Sequence, residues 1–120
     1  MINHRSVYDP ELPEEGLRVL VMRRWPRGAR KSICDLWLPK LGPSQSLLKE
    51  YRAGGVPWKE FAERYREDTL AHAKEEIGKL LTAEEEHGAL TLLCWERPDK
   101  EGKLQCHRLV LKRLLEEASW

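Results

Sequence analysis

The chain has 120 residues, of which 34% are charged and 41% hydrophobic, and its formal net charge is +1 at pH 7. This length suits one domain with a sizeable core, and no apolar run approaches the ~20 residues of a membrane-spanning helix. Charged residues interrupt the N-terminus, unlike a signal peptide, and three cysteines are too few for a disulfide framework. We therefore predict a single domain over residues 1–120 that is soluble and cytoplasmic, without a membrane partner.

The first third of the chain predicts two short strands and a long irregular segment. Residues 6–8 form a short strand closed by Asp9-Pro10, and residues 17–22 form a second strand that is apolar on both faces. Such strands are typical of parallel sheets, so we expect a layer of helices to supply the cover. Residues 23–42 are rich in Trp, Pro and Arg and too long for a simple connector, which indicates a functional or self-packed segment.

Two helices follow this segment. Ser44 or Ser46 caps a short helix that ends near Arg52, before a pair of glycines. Pro57 suits the first turn of the longest helix. Apolar residues recur there at spacings of three and four as far as Leu80, which predicts a buried stripe.

The last third predicts a strand between two helical segments. Gly78 bends or ends the long helix, and a short acidic continuation is capped by Gly88. An apolar strand over residues 89–95, a polar loop over residues 97–105 and an amphipathic helix over residues 106–117 complete the chain. The order of elements predicts a small Rossmann-like α/β domain, with a short and mostly parallel sheet flanked by helices.

Two polar clusters lie on either side of the last loop. Cys94 and Glu96 end the predicted strand, and Cys106, His107 and Arg108 open the predicted helix. Open α/β sheets bind ligands beyond the carboxyl ends of their strands, so we expect both clusters on one rim of the sheet. The candidate catalytic residues are therefore Cys106, Glu96, His107 and Cys94.

The position of these residues at the start of a helix suggests a separate role for each of them. The free amides and dipole of the helix start favour an anion, which Arg108 would help to hold, and the same field would lower the pKa of Cys106. Cys106 is then the predicted nucleophile and Glu96 the general acid or base. Three simpler alternatives stay open: Cys94 as a small core residue, a structural Glu96–Arg108 salt bridge, and a reversible Cys94–Cys106 disulfide.

A second constellation is the basic loop that follows the second strand. Arg24 and Arg27 offer guanidinium groups for a phosphate or carboxylate, and Trp25 offers a stacking face. Pro26 and Gly28 would stiffen and turn this loop. In a parallel sheet it shares a rim with the cysteines, so the predicted ligand-binding residues are Arg24, Trp25, Arg27 and Arg108.

Several of these blocks carry a resemblance to a known family. Trp25-Pro26-Arg27-Gly28 is the most specific block, and Cys94-Trp95-Glu96 with Cys106-His107-Arg108 resembles the cysteine signature of the wider family. Over almost its whole length the chain is similar to the YeaO-like branch of the domain of unknown function 488 (DUF488) family. The resemblance implies a small Rossmann-like α/β fold and a cytoplasmic protein, but no particular reaction.

Two classes of function fit this sequence. One is a thiol or acid/base enzyme that acts on a small anionic, nucleotide-like substrate. The other is a non-catalytic module that binds an anion, a nucleotide or nucleic acid through the same arginines, with structural or redox-sensing cysteines. The near-neutral net charge makes nucleic acid the minority option among these ligands.

Cofactor and metal signatures are weak. The glycine fingerprints of dinucleotide and phosphate-loop sites are missing, so no cofactor is predicted. Zinc through Cys94, Cys106 and His107 is a weaker alternative, because there is no Cys-x-x-Cys pair and neighbouring Cys-His residues seldom converge on one ion. No metal is therefore predicted. The apolar width of the last helix is compatible with a monomer or a homodimer.

Overall fold

The computed structural model describes residues 1–118, which form four strands and four α-helices. The strands are β1 (Ile2–Ser6), β2 (Leu17–Leu20), β3 (Leu36–Trp37) and β4 (Leu90–Cys94). The helices are α1 (Gln45–Arg52), α2 (Trp58–His72), α3 (Lys74–His87) and α4 (His107–Ala118). Short 3-10 turns occupy Pro13–Glu15, Lys31–Ile33 and Pro39–Leu41.

The four strands form one sheet in the order β1-β4-β2-β3, and every neighbouring pair is parallel. In the register, Ser6 lies opposite Cys94 and Leu20 lies opposite Leu93. All carboxyl ends therefore meet at one rim of the sheet. The predicted α/β class with a mostly parallel sheet is confirmed.

The two faces of the sheet are covered differently. On the first face, which we call the helix face, Val19, Leu90 and Leu92 pack in one apolar cluster with residues of all four helices. On the second, the loop face, Leu20 and Leu93 pack against the irregular segment after β2. Strand β2 is buried on both sides as predicted, but a loop rather than a helix layer covers its second face.

Most helix ends follow local sequence rules. The Ser44 hydroxyl accepts a hydrogen bond from the Leu47 amide at 3.2 Å and caps α1, as predicted. Gly88 ends α3 in the left-handed conformation with φ of 75°, also as predicted. Many helices end with such a glycine, and here it turns the chain out of α3 just before β4 begins at Leu90.

Three predicted boundaries are wrong. The long helix breaks at Ala73, where φ is −131°, and Gly78 lies inside α3 instead of ending it. Ala73 donates the last backbone hydrogen bond of α2, to Thr69, and accepts the first one of α3, from Ile77. The apolar stripe runs through this residue and so does not reveal the break. The first strand is β1, which ends at Ser6, where the predicted one began.

The helices of the structure can be compared with the length and hydropathy of a membrane-spanning helix. No helix within residues 1–118 is both long enough and apolar enough to span a bilayer.

Candidate functional site

The rim at the carboxyl ends of β2 and β4 gathers four potential ligand side chains. Cys94 is the last residue of β4, and α4 packs against β1 and β4 so that its start faces this rim. One ligand atom from each of Cys94, Glu96, Cys106 and His107 lies within 4.8 Å of the others. We call these four residues the cysteine cluster.

His107 is fixed by the end of β2. Its Nε2 lies 2.5 Å from the Val21 carbonyl oxygen, which can only accept a hydrogen bond, so Nε2 carries the proton. The unprotonated Nδ1 then faces Cys106 Sγ at 3.7 Å. Burial, aided by the nearby Arg108 charge, lowers the pKa of His107 to about 4, and the imidazole is neutral at pH 7.

Tyr65 holds the other side of this imidazole. Its ring meets the His107 ring edge-on, with centroids 5.3 Å apart, and its hydroxyl donates to the Leu41 carbonyl at 2.6 Å. Both rings are buried, so His107 has no freedom to turn. The orientation of its Nδ1 is thus set by α2 and β2 together.

Arg108 lies buried beside the cluster, with only 2% of its surface exposed. Its guanidinium donates to the Glu96 carbonyl at 2.8 Å and to His4 Nδ1 at 3.2 Å, and approaches Cys106 Sγ at 3.9 Å. Within residues 1–118 no carboxylate lies within ion-pair distance of it. A buried positive charge therefore sits against the thiols.

The two buried thiols influence each other. The neighbouring Cys106 thiol holds the pKa of Cys94 below its usual value, with a smaller contribution from the Arg108 charge. The same contact and burial raise the pKa of Cys106 far above the usual value of a thiol. The lowered pKa expected for Cys106 is thus found for Cys94 instead.

A cavity of about 680 Å³ opens next to the cluster. Cys94, Glu96 and His107 line it, whereas Cys106 does not. Four cationic side chains also line it: Arg23, Arg24, Lys49 and Arg52. One cavity therefore combines a thiol, a carboxylate and a strongly basic wall.

The cations of this wall differ in their freedom. Arg23 Nε donates to the carbonyl oxygens of Gly42 and Pro43, which orients its side chain along the cavity. The side chains of Arg24, Lys49 and Arg52 make no hydrogen bond or ion pair with any residue that the structure describes. These three charges are available for an anion.

Comparison with known proteins identifies the family. A family model described as the Active DUF488-N3 subclade matches residues 2–119. The chain belongs to the DUF488 family. It is 35% identical over 112 residues to the uncharacterized protein YeaO of Escherichia coli strain K12, covering 92% of both chains. This confirms the resemblance to the YeaO-like branch.

Shorter matches come from mycobacteria. The uncharacterized proteins Rv3073c of Mycobacterium tuberculosis and Mb3100c of Mycobacterium bovis are each 39% identical over 64 residues, 52% of this chain and 54% of the relative. No solved structure matches the chain.

The four predicted ligand-binding residues of this DUF488 protein lie in four different settings. Arg24 lines the cavity, and Arg108 lies buried beside the cysteine cluster. Trp25 packs against the loop face, and its ring meets that of Trp37 at 5.5 Å. Arg27 is exposed and does not line the cavity, although its carbonyl accepts from Tyr8.

The alternative of a Glu96–Arg108 salt bridge takes a different form in the structure. Arg108 binds the Glu96 backbone carbonyl, so the loop is tied to α4 while the carboxylate stays free of that pair. Glu96 Oε1 instead lies 3.9 Å from Cys94 Sγ.

Sequence reasoning did not select Lys49 and Arg52. They stand three positions apart in the last turn of α1, and residues at that spacing share one helix face. This spacing could have indicated a basic helix face, but only the fold shows that α1 lies at the rim that carries the cysteines.

Proposed function

We propose that this DUF488 protein is an enzyme that binds a small anionic substrate in the basic cavity and reacts with it through Cys94. The observation that carries the proposal is the composition of that cavity, which holds Cys94 and Glu96 together with unpaired cations. Cysteine thiolates are strong nucleophiles, and catalytic ones occur in electropositive surroundings. Cys94 is only 1% exposed, so a substrate would reach it through this cavity.

The wall of the cavity suits an anion of limited size. Guanidinium groups bind carboxylates and phosphates through paired hydrogen bonds, and Arg24 and Arg52 have such groups free. A volume of about 680 Å³ falls in the range of small-molecule sites. Carboxylates and phosphates of nucleotide size or smaller are the substrates that fit best.

We infer different roles for the two buried thiols. Cys94 lines the cavity and is the nucleophile, whereas Cys106 lies behind it and stabilises the Cys94 thiolate. This reverses the roles that the sequence suggested. The Glu96 carboxylate, 3.9 Å from Cys94 Sγ, is placed to exchange a proton with the reacting thiol or leaving group.

Two alkylating reagents of similar size test this proposal. The measured quantity is the rate with the anion iodoacetate divided by the rate with neutral iodoacetamide. In metal-free protein at constant pH, we expect this ratio to be higher at Cys94 than at a free thiol. Arg24→Ala should reduce that preference roughly threefold to tenfold, as expected for the loss of about 1 kcal/mol of attraction. Mass spectrometry after digestion resolves the label at each cysteine.

Two matched controls accompany this experiment. Arg27→Ala removes an equal charge from the same loop, outside the cavity, and should leave the preference unchanged. Cys34 lies on the loop face and should show no preference in any variant. An iodoacetate-to-iodoacetamide rate ratio at Cys94 no higher than that of a free thiol, or equal effects of the two arginine variants, would overturn the proposal.

One outcome would favour the non-catalytic alternative. If phosphate or a nucleotide binds and protects Arg24, but Cys94 resists both reagents, the cavity serves binding alone. Nucleic acid as the ligand would show itself by an affinity that falls steeply with salt, because each phosphate contact releases counterions.

A further inference from the structure

We propose that the cysteine cluster binds one Zn²⁺ ion. Two thiols, one imidazole and one carboxylate converge there, with their ligand atoms within 4.8 Å of one another. Zinc prefers four ligands of these types in tetrahedral geometry. Sulfur and imidazole donors also disfavour magnesium and calcium, which take oxygen ligands.

The spacing requires little adjustment to hold the ion. Two thiolates at the usual Zn–S distance of about 2.3 Å lie roughly 3.8 Å apart in a tetrahedron. The cluster atoms, at no more than 4.8 Å, need to contract by about 1 Å or less. Rotation of the cysteine and glutamate side chains would have to supply that movement.

The hydrogen bond of His107 is a second and independent observation. Histidines that bind metals usually donate their other ring N–H to a carbonyl or carboxylate, which fixes the tautomer and the ring orientation. Here Nε2 donates to the Val21 carbonyl, and the lone pair of Nδ1 is directed at the cluster. The imidazole is thus already in the form that a metal requires.

Charge balance around Arg108 is a third observation. An ion of charge +2 with two thiolates and one carboxylate carries a net charge of −1. The buried guanidinium of Arg108, which approaches Cys106 Sγ at 3.9 Å, makes the complete site neutral. A neutral site avoids much of the cost of burying charge.

The start of α4 explains why neighbouring Cys106 and His107 converge here. Cys106 directly precedes the helix and His107 is its first residue, so their side chains leave the backbone at the point where the loop turns into the helix. The argument from sequence against zinc therefore does not hold for this geometry. Cys94, Glu96 and His107 line the cavity, which provides a route for the ion.

This inference does not rest on the proposed enzyme activity. A bound ion would hold Cys94 Sγ as a ligand, so we expect the thiol of the zinc-bound protein to react more slowly than that of metal-free protein. Metal-free protein is the reactive form, and zinc acts as an inhibitor of the chemistry proposed above.

Cobalt substitution tests the site directly. Protein without a histidine tag is freed of metal with a chelator and titrated with Co²⁺ alone. We expect one Co²⁺ per chain, with thiolate charge-transfer absorption in the near ultraviolet, and displacement of this spectrum by Zn²⁺. The double variant Cys94→Ser/Cys106→Ser should lose the band, whereas Cys34→Ser should keep it at full intensity.

Two further measurements distinguish loss of the metal site from misfolding of the variant. Circular dichroism establishes that the double variant is folded, and Glu96→Gln offers a conservative change that keeps both thiols. We expect Glu96→Gln to keep the charge-transfer band and to weaken Co²⁺ binding about tenfold or more. Absence of the band in the wild type, or its persistence in the double variant, would overturn the proposal.

The two proposals fail in different ways. Metal-free protein whose Cys94 prefers iodoacetate, but which binds no Co²⁺, retains the proposed function and excludes the zinc site. Protein that binds Co²⁺ through both cysteines, but shows no anion preference once the metal is removed, retains the zinc site and excludes the enzyme.

Discussion

Arg108 shows how one residue ties the candidate site to the core. Its guanidinium joins β1 through His4, the last loop through the Glu96 carbonyl and the cysteine cluster through Cys106. Three structural elements thus depend on one planar group. Lysine cannot replace these contacts, since its ammonium is a point charge without a fixed fork of donors.

We expect Arg108→Lys to lower the free energy of unfolding by about 3 kcal/mol, because a single ammonium cannot reach all the buried acceptors that the guanidinium serves. Urea denaturation of metal-free protein measures this loss. Arg113→Lys, an exposed change on the same helix, should shift stability by less than about 0.5 kcal/mol. Equal stability of the two variants would show that the Arg108 contacts contribute nothing beyond charge.

The junction between the first 3-10 turn and β2 depends on a glycine. Gly16 has φ of 65°, and a Cβ there would lie 2.2 Å from the Ala89 carbonyl oxygen. That same oxygen accepts the hydrogen bond of the Leu17 amide, which begins the pairing of β2 with β4. A side chain at residue 16 therefore separates the two central strands at their first contact.

Gly16→Ala should consequently destabilise the protein by roughly 2–5 kcal/mol, from the left-handed backbone and the collision together. Gly28→Ala is the matched control, because its φ is 77° but a Cβ there meets no atom within 4 Å. It should cost only about 1–2 kcal/mol. Thermal or urea unfolding of both variants separates the cost of the steric collision from the cost of the backbone conformation. Similar losses of unfolding free energy in the two variants would contradict the close approach of residue 16 to Ala89.

The elements differ in how far their sequence reveals them. Strand β4 and helix α4 were predictable, because an apolar run and an amphipathic pattern each bury a continuous face. Strand β1 was placed too late, since its centre is polar and only half-buried at Asn3, His4 and Arg5. Strand β3 has only two residues, both apolar and exposed, which is too short a run to show any periodicity.

The same reasoning applies to the candidate site. The residues of the cysteine cluster were predictable as a group, because a strand end and a helix start meet at one rim in a parallel sheet. Which thiol faces the cavity was not predictable, because this depends on the packing of α4 against β1 and β4. The contributions of Lys49 and Arg52 likewise depend on where α1 lies relative to that rim.

At the scale of the whole molecule, charge and chemistry come from different halves of the chain. Residues 1–60 carry 11 Lys and Arg against 7 Asp and Glu, whereas residues 61–120 carry 10 against 13. All four cations of the cavity wall belong to the first half, and the cysteine cluster belongs to the second. The candidate site exists only when both halves are folded together.

The sheet joins these halves into one cooperative unit. Strand β4 lies between β1 and β2, and it contributes Leu90 and Leu92 to the helix face and Leu93 to the loop face. Loss of either cluster would expose apolar surface of the same strand to water. Neither half therefore has a core that is independent of the other.

We accordingly expect a single cooperative unfolding transition, in agreement with the single domain proposed from the sequence. Urea denaturation is followed by far-ultraviolet circular dichroism, which reports the helices, and by tryptophan fluorescence, to which Trp25 and Trp37 contribute on the other face. The two curves should coincide, as two-state unfolding requires. A fluorescence change at lower urea, lost in Trp25→Phe, would instead show that the loop face unfolds first and that the basic loop is a separate unit.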